Sequence, residues 1–242
     1  MPRNSYFAFK QFRIDQGQCA MKVTTDACLF GALLGQSPCL HRSKRVLDIG
    51  AGTGLLSLMA AQNSNATITA VELDEQAAQQ ALSNFADSPW AEQLQLINCA
   101  MQNVATDQRF DCIVTNPPFF QHAFKGTDAR RNLARHTDTL TFTDLAHAIA
   151  QYLHDDGEAW VLLPVTSTTA FMHAATRQEL VLTRQIGLRS SPNHPVHRHI
   201  LVLGHRRATA EPLNEELLTI YDQHPHYSEQ TRQLMAPYYL AL

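Results

Sequence analysis

From position 45 onward, short apolar runs alternate with longer stretches whose apolar residues recur at helical spacing. Val46–Ile49, Thr67–Leu73, Leu94–Cys99 and Asp111–Thr115 have the aliphatic and β-branched content of buried strands. Between them, Leu55–Gln62 and Glu75–Phe85 read as helices. A helix over Thr143–His154 and a strand over Glu158–Leu163, stopped by Pro164, continue the rhythm. Apolar strands separated by amphipathic helices predict an α/β fold: a mostly parallel sheet covered on both faces. After Pro164 the pattern changes. Leu180–Leu188 and His199–Gly204 are β-rich, and the polar, turn-forming Ser190–His197 lies between them. That arrangement predicts an antiparallel hairpin at the sheet edge, for seven strands in all. Two further helices are expected near Asn214–Tyr221 and Ser228–Ala236. Ahead of the alternation, Thr24 or Thr25 caps a helix running from Asp26 to Leu34, with Gly35 as its stop.

Composition narrows the picture. A chain of 242 residues, 45% hydrophobic, suits one α/β domain. The expected organisation is a catalytic core over 45–242 with 1–44 as an N-terminal cap. Charged residues are only 17% of the chain, and 19 basic against 22 acidic residues leave a net charge of −3. A protein that binds nucleic acid through overall charge would be basic, so any RNA contact must come from a local patch. The five cysteines (19, 28, 39, 99 and 112) are odd in number and form no CxxC pair. Neither a disulfide framework nor a zinc site is expected, and free thiols suit a reducing compartment. Met1–Phe12 lacks the apolar stretch of a signal peptide, and no apolar run approaches the roughly 18 residues that span a bilayer. A cytoplasmic monomer without membrane or metal partners is the expectation.

Two segments carry chemistry. In Val46-Leu47-Asp48-Ile49-Gly50-Ala51-Gly52-Thr53-Gly54-Leu55, the glycines fall between the first strand of the alternation and the helix after it. Glycine lets a ligand touch the backbone, and a helix N-terminus offers free N–H groups. Dinucleotide enzymes write such a loop GxGxxG and hold a pyrophosphate there. Here the spacing is GxGxG, with Asp48 just before Gly50 and Gly52. A carboxylate would repel a pyrophosphate and attract a cation such as the amino group of a methionine moiety, which favours S-adenosyl-L-methionine over NAD. Glu72, at the end of the next strand and followed by Leu73, is placed to accept from both ribose hydroxyls.

The second segment is Asn116-Pro117-Pro118-Phe119, directly after the strand ending at Thr115. Ligands in open α/β sheets bind at such carboxyl ends. Two prolines stiffen the turn and remove two backbone donors. What remains are acceptors: the Asn116 side-chain oxygen and the Pro117 carbonyl. Two acceptors holding both hydrogens of a planar exocyclic amine leave its lone pair to face a methyl donor. Phe119 is placed to stack on the base. Taken alone, the tetrapeptide can also be read as an ordinary Pro-Pro turn after a strand.

With these pieces in place, the chain resembles the N6-adenine methyltransferases that carry NPP(Y/F), and more closely the bacterial tRNA1(Val) (adenine-37-N6) methyltransferase family. The resemblance runs through Phe9-Lys10-Gln11-Phe12, Cys19-Ala20-Met21-Lys22-Val23 with Thr25-Asp26, the loop at 48–54, Glu72 and Ser88-Pro89-Trp90-Ala91-Glu92. It continues through Asn116–Phe119, Ala134-Arg135, His197-Arg198 and Tyr227-Ser228-Glu229. It implies a Rossmann-like class I methyltransferase acting on an anticodon-loop adenine in tRNA, with Lys22, Thr25 and Asp26 closing over the methionine end of the cofactor. Asp26 is equally at home as a first-turn helix residue favoured by the dipole. One departure stands out. The family pattern places an Asp after the third strand to meet the cofactor adenine, whereas this chain has Ala100. Adenine recognition is then expected from the backbone and from packing of Met101.

Candidate RNA contacts are Lys125, Arg130, Arg131, Arg135 and His136 after the NPPF turn, and His197, Arg198, Arg206 and Arg207 near the expected hairpin. Other readings stay open: an rRNA adenine as substrate, a protein glutamine amide as in release-factor methyltransferases, or a non-catalytic module that keeps the fold. Release-factor enzymes carry a separate N-terminal helical domain, for which the segment before Arg45 is short.

Overall fold

The first element of the computed structural model, which describes residues 5–17, 22–117, 140–206 and 213–242, is a small antiparallel pair. It joins β1 (Tyr6–Ala8) to β2 (Arg13–Asp15). Helices α1 (Thr25–Gly35) and α2 (Pro38–Arg42) follow. Thr24 caps α1, accepting from the Ala27 N–H at 3.2 Å. Next come β3 (Arg45–Ile49), α3 (Leu55–Ala61), β4 (Thr67–Glu72), α4 (Glu75–Ala86), β5 (Leu94–Asn98) and β6 (Phe110–Thr115). The second half holds α5 (Phe142–Tyr152), β7 (Leu153–Pro164), α6 (Val165–Arg177), β8 (Leu180–Arg189) and β9 (Val196–His205). Last come β10 (Asn214–Thr219), the short pair β11 (Tyr221–Gln223) and β12 (His226–Tyr227), and α7 (Glu229–Met235).

The main sheet has the order β10-β8-β9-β7-β6-β3-β4-β5. Strands β3 to β7 run parallel, and among the described strands of this sheet only β9 is antiparallel to its neighbours. Side chains alternate across the sheet with period two. Val46, Cys112, Val114, Trp160 and Ile200 face α1 and α3, packing with Phe30 and Leu58. Leu47, Ile49, Ile113, Val161 and Leu201 face the opposite side, where Leu145, Ile149 and Phe171 of α5 and α6 cover them. Each such burial stabilises the fold by roughly 1.5–3 kcal/mol, so both faces must be covered for the sheet to persist.

The α/β class, the parallel centre and the β8–β9 hairpin match the sequence pattern. Two features correct it. Asn214–Thr219 is a strand, not a helix. It pairs in parallel with β8, so among the described residues the sheet has eight strands and the hairpin is not its edge. The pairing is held across the strands by Arg184, whose Nε and Nη2 donate to Glu216 at 2.6 and 2.9 Å. That bidentate geometry and the backbone ladder outweigh the helix propensity of a Glu- and Leu-rich segment. The second correction is α6, which the sequence pattern left unassigned.

The β1–β2 pair is stitched to the segment after α7. Phe9 bridges Tyr239, the Lys10 N–H donates to the Tyr238 carbonyl at 2.8 Å, and Lys10 Nζ donates to the Ala236 carbonyl at 2.6 Å. Among the described residues, no helix is long and apolar enough to cross a membrane.

Gly54 fixes the start of α3. It holds φ = 82°, and a Cβ built there would overlap the buried ring of Phe85. Gly54→Ala is expected to destabilise the protein by about 2–4 kcal/mol, from left-handed strain plus overpacking. Chemical denaturation checks this, and a loss below about 1 kcal/mol would show that Phe85 yields freely.

Candidate active site

The glycine loop opens at the carboxyl end of β3. Gly50, Gly52 and Gly54 all have positive φ (72°, 56° and 82°), which bends the backbone tightly into α3. The N–H groups of Gly50 and Ala51 donate to the Val71 carbonyl at 2.8 and 3.1 Å, fixing the loop against β4. Among the described residues, nothing lies within 4 Å of where a Cβ would stand on Gly50 or Gly52, so the loop lines open space.

Glu72 links this loop to the turn after β4. Its carboxylate accepts from the Gly52 N–H at 2.8 Å and from the Asp74 N–H at 2.9 Å. The Asn98 amide donates to the carbonyls of Glu72 and Leu73 at 2.8 and 3.2 Å, holding that turn from β5. Leu73 is 48% exposed, an aliphatic surface beside a carboxylate. Met101, by contrast, is buried in the core with Val104 and Leu145. Half-buried Cys99 and Ala100 are what β5 presents at its end.

Asp48 lies fully buried on the floor of the loop. Ser57 Oγ donates to its Oδ2 at 2.7 Å, while Oδ1 is buried without a hydrogen-bond partner among the described residues. Burial pushes the Asp48 carboxyl up to about 7; hydrogen bonds from Ser57 oppose the rise, and the charge of Glu72 adds to it. An orphaned carboxylate oxygen, an open glycine cradle, a second carboxylate and an exposed leucine suit one ligand carrying a cation, a diol and a flat ring. Those are the groups of S-adenosylmethionine. Sequence reasoning missed Ser57, although a lone serine inside Leu55-Leu56-Ser57-Leu58 marks a buried polar partner.

The Asn116 turn sits beside this cradle. β6 pairs with β3, and Thr115 Oγ1 donates to the Ile49 carbonyl at 2.8 Å, tying the end of β6 to the start of the loop. Asn116 is half-buried and Pro117 buried. Pro118, Phe119, Lys125, Arg130, Arg131, Arg135, His136 and Arg207 lie outside the described residues.

From Asn116 the register leads across the sheet. Thr115 pairs with Val161 of β7, and Pro164, at the end of β7, pairs with Arg198 of β9. Arg198 is therefore two strands from β6 and three residues further along, roughly 14 Å from Thr115. It reaches α1: Arg198 Nε donates to Asp26 Oδ2 at 3.2 Å, and His197 Nε2 lies 3.2 Å from each Asp26 oxygen. Lys22 is exposed and Thr25 half-buried at the same mouth, where Thr25 lies beside the Tyr227 hydroxyl. Arg206 is not brought here. Antiparallel β9 carries it to the opposite end of the sheet, where its N–H donates to the Glu179 carbonyl at 3.0 Å.

The methyltransferase small domain family matches residues 31–168, a span that includes the loop, Glu72 and Asn116. The chain is 42% identical over 240 residues to a tRNA1(Val) (adenine(37)-N6)-methyltransferase of Shewanella sp. (strain MR-4), covering 98% of this chain and 99% of that one. The chain belongs to the tRNA1(Val) (adenine(37)-N6)-methyltransferase family. A relative of the same name from Pseudoalteromonas translucida (strain TAC 125) is 39% identical over 239 residues, covering 98% of this chain and 100% of the relative. Among solved structures, a predicted O-methyltransferase from Agrobacterium tumefaciens superposes with a TM-score of 0.65 at 14% identity, over 88% of this chain and 96% of that one. That likeness supports the methyltransferase fold. Within this tRNA1(Val) methyltransferase family member, the cradle and the Asn116 turn meet at one carboxyl end of the sheet.

Proposed function

We propose that the chain transfers a methyl group from S-adenosyl-L-methionine to N6 of adenosine-37 in the anticodon loop of tRNA1(Val). The observation that carries this reading is the juxtaposition of the Asn116-Pro117 turn with the glycine cradle, held by the bond from Thr115 to the Ile49 carbonyl. When bound, the cofactor supplies a methyl carbon made electrophilic by its sulfonium. The chain's residues do the rest. Asp48 draws the cationic amino group, Glu72 accepts from the ribose hydroxyls, and Leu73 covers one face of the adenine. Lys22 and Thr25 border the methionine end. Asn116 Oδ1 and the Pro117 carbonyl oxygen accept the two N6 hydrogens, so the nitrogen lone pair points at the methyl. With the cofactor bound, its methyl would pass to that nitrogen as the sulfonium becomes a neutral thioether. One N6 proton then leaves to water, so no strong base is needed. Phe119 stacks on the target base, which must leave its own stack to enter; an unpaired loop makes that easier. Arg130, Arg131, Arg135 and Arg198 contact the flanking phosphates. The chain acts as a monomer.

Incubation with methyl-labelled cofactor and, in separate reactions, tRNA, rRNA and release factor tests this. Digestion of the tRNA to nucleosides should give labelled N6-methyladenosine. Labelled methylglutamine without N6-methyladenosine would overturn the proposal. Glu72→Gln should weaken cofactor binding by about tenfold or more, the usual cost of replacing a charged hydrogen-bond acceptor. An unchanged calorimetric affinity would remove Glu72 from the ribose.

A further inference from the structure

The β11–β12 hairpin and the β8–β9 turn meet at the same end of the sheet as Asn116, and sequence reasoning gave the hairpin no role. The two are fastened by backbone bonds: the Ile220 N–H donates to the Arg189 carbonyl and the Tyr221 N–H to the Ser190 carbonyl, both at 2.9 Å. Tyr221 stacks on Tyr227 with ring centroids 5.0 Å apart, and His224 meets Tyr221 edge-on at 4.9 Å. Tyr221 is half-buried and His224 exposed. The Tyr227 hydroxyl lies beside Thr25, and the adjacent Asp26 holds His197 and Arg198. A path therefore runs from the aromatic hairpin, past the first turn of α1, to Arg198, two strands across the sheet from the strand that ends beside Asn116.

We infer that this ridge, with His224 and Tyr221 at one end and the Asp26-held pair His197–Arg198 at the other, docks the RNA strand flanking the target nucleotide. This rests on the RNA-substrate reading given above. The chemistry favours a single strand of RNA over other occupants. Flat rings at half exposure stack on any base, and a guanidinium whose direction a carboxylate fixes suits a phosphate. The position fits as well. Arg198 lies two strands across and three residues further along than Thr115, roughly 14 Å from it, a separation of about two nucleotides along an extended strand, so its phosphate partner flanks the extruded base. Asp222 is an exposed acidic residue of the same hairpin, so stacking rather than charge holds the RNA at that end. Asp26 acts as a positioning residue: its two oxygens engage β9 and set where Arg198 points.

The test uses the full chain with purified tRNA and saturating cofactor. His224→Ala is expected to raise Kd and KM for tRNA about tenfold, a typical loss for one stacked base, with kcat and cofactor Kd unchanged. His224→Trp should keep wild-type affinity, and the fluorescence of the introduced indole should be quenched as tRNA binds. Arg198→Ala should shallow the slope of log Kd against log salt by about 0.7, the release expected from one contact to a single strand. A wild-type KM in His224→Ala, or indole fluorescence in His224→Trp that is indifferent to tRNA, overturns the ridge while leaving the proposed reaction intact. A wild-type chain that methylates no tRNA overturns both. Asp26→Asn should weaken tRNA binding and leave cofactor affinity alone; the reverse result would return Asp26 to the cofactor.

Discussion

Asn116→Ala is expected to lower kcat by about 10²–10³-fold, the usual effect of deleting one preorganised transition-state hydrogen bond, with cofactor affinity nearly unchanged. The expectation follows from where the side chain sits. The cradle is built by the loop, Asp48 and Glu72, and its hydrogen bonds run between β3, β4 and β5 without using Asn116. Asn116 sits on the next strand, tied to the loop through Thr115. Its loss removes one of the two acceptors that orient N6 and leaves the cofactor's own contacts in place. Single-turnover rates at saturating cofactor, paired with calorimetry, separate the two effects. A variant whose rate recovers at high cofactor would mean that Asn116 serves binding instead.

Asp48→Asn is expected to act in opposite directions on stability and on cofactor binding. In the free protein the Asp48 carboxyl titrates near 7, against about 3.9 in an unfolded chain. The folded state therefore holds this proton more tightly. Asp48 adds stability at low pH and loses it progressively as pH rises from about 4 to about 7. Over those three pH units the loss amounts to roughly 4 kcal/mol at most. At pH 8 the wild-type chain carries a buried, half-satisfied anion, and the asparagine variant does not. The variant should melt higher at pH 8 and close to wild type at pH 5. Cofactor affinity should move the other way. An ionised Asp48 attracts the ammonium, so wild-type affinity should climb through neutral pH, while the variant binds weakly with a flat profile. An asparagine variant that melts below wild type at pH 8 would show that the charge is stabilised by something other than a ligand.

Much of the fold and part of the site were legible in the sequence, because the same residues carried local and global signals. Gly50, Gly52 and Gly54 mark a turn that only glycine makes easily, and the apolar β3, β4 and β6 segments admit no amphipathic alternative. Where local and tertiary preferences disagree, the pattern fails. Asn214–Thr219 has helix-forming Glu and Leu, and its strand conformation depends on β8 lying alongside. Residues 165–177 begin Val-Thr-Ser-Thr-Thr, a run with weak helix propensity. They are helical because Phe171 and Ala175 pack into the core. Asp48 was legible as an acid beside a glycine loop, but not as a buried one, because Ser57 approaches it from the far side of that loop. The link from Asp26 to His197 and Arg198 crosses more than 170 residues of chain, a separation that no local pattern reports.

The bridge between Phe9 and Tyr239 sets an order on biosynthesis. The parallel strands β3 to β6 can pair once their own residues have emerged from the ribosome. The β1–β2 hairpin must wait until β3 to β10 and α7 have been made before Tyr238 and Tyr239 arrive to cover it. Until then Phe7 and Phe9 lack the cover of Tyr239, and a nascent chain released before Ala236 should be a ready client for chaperones and proteases.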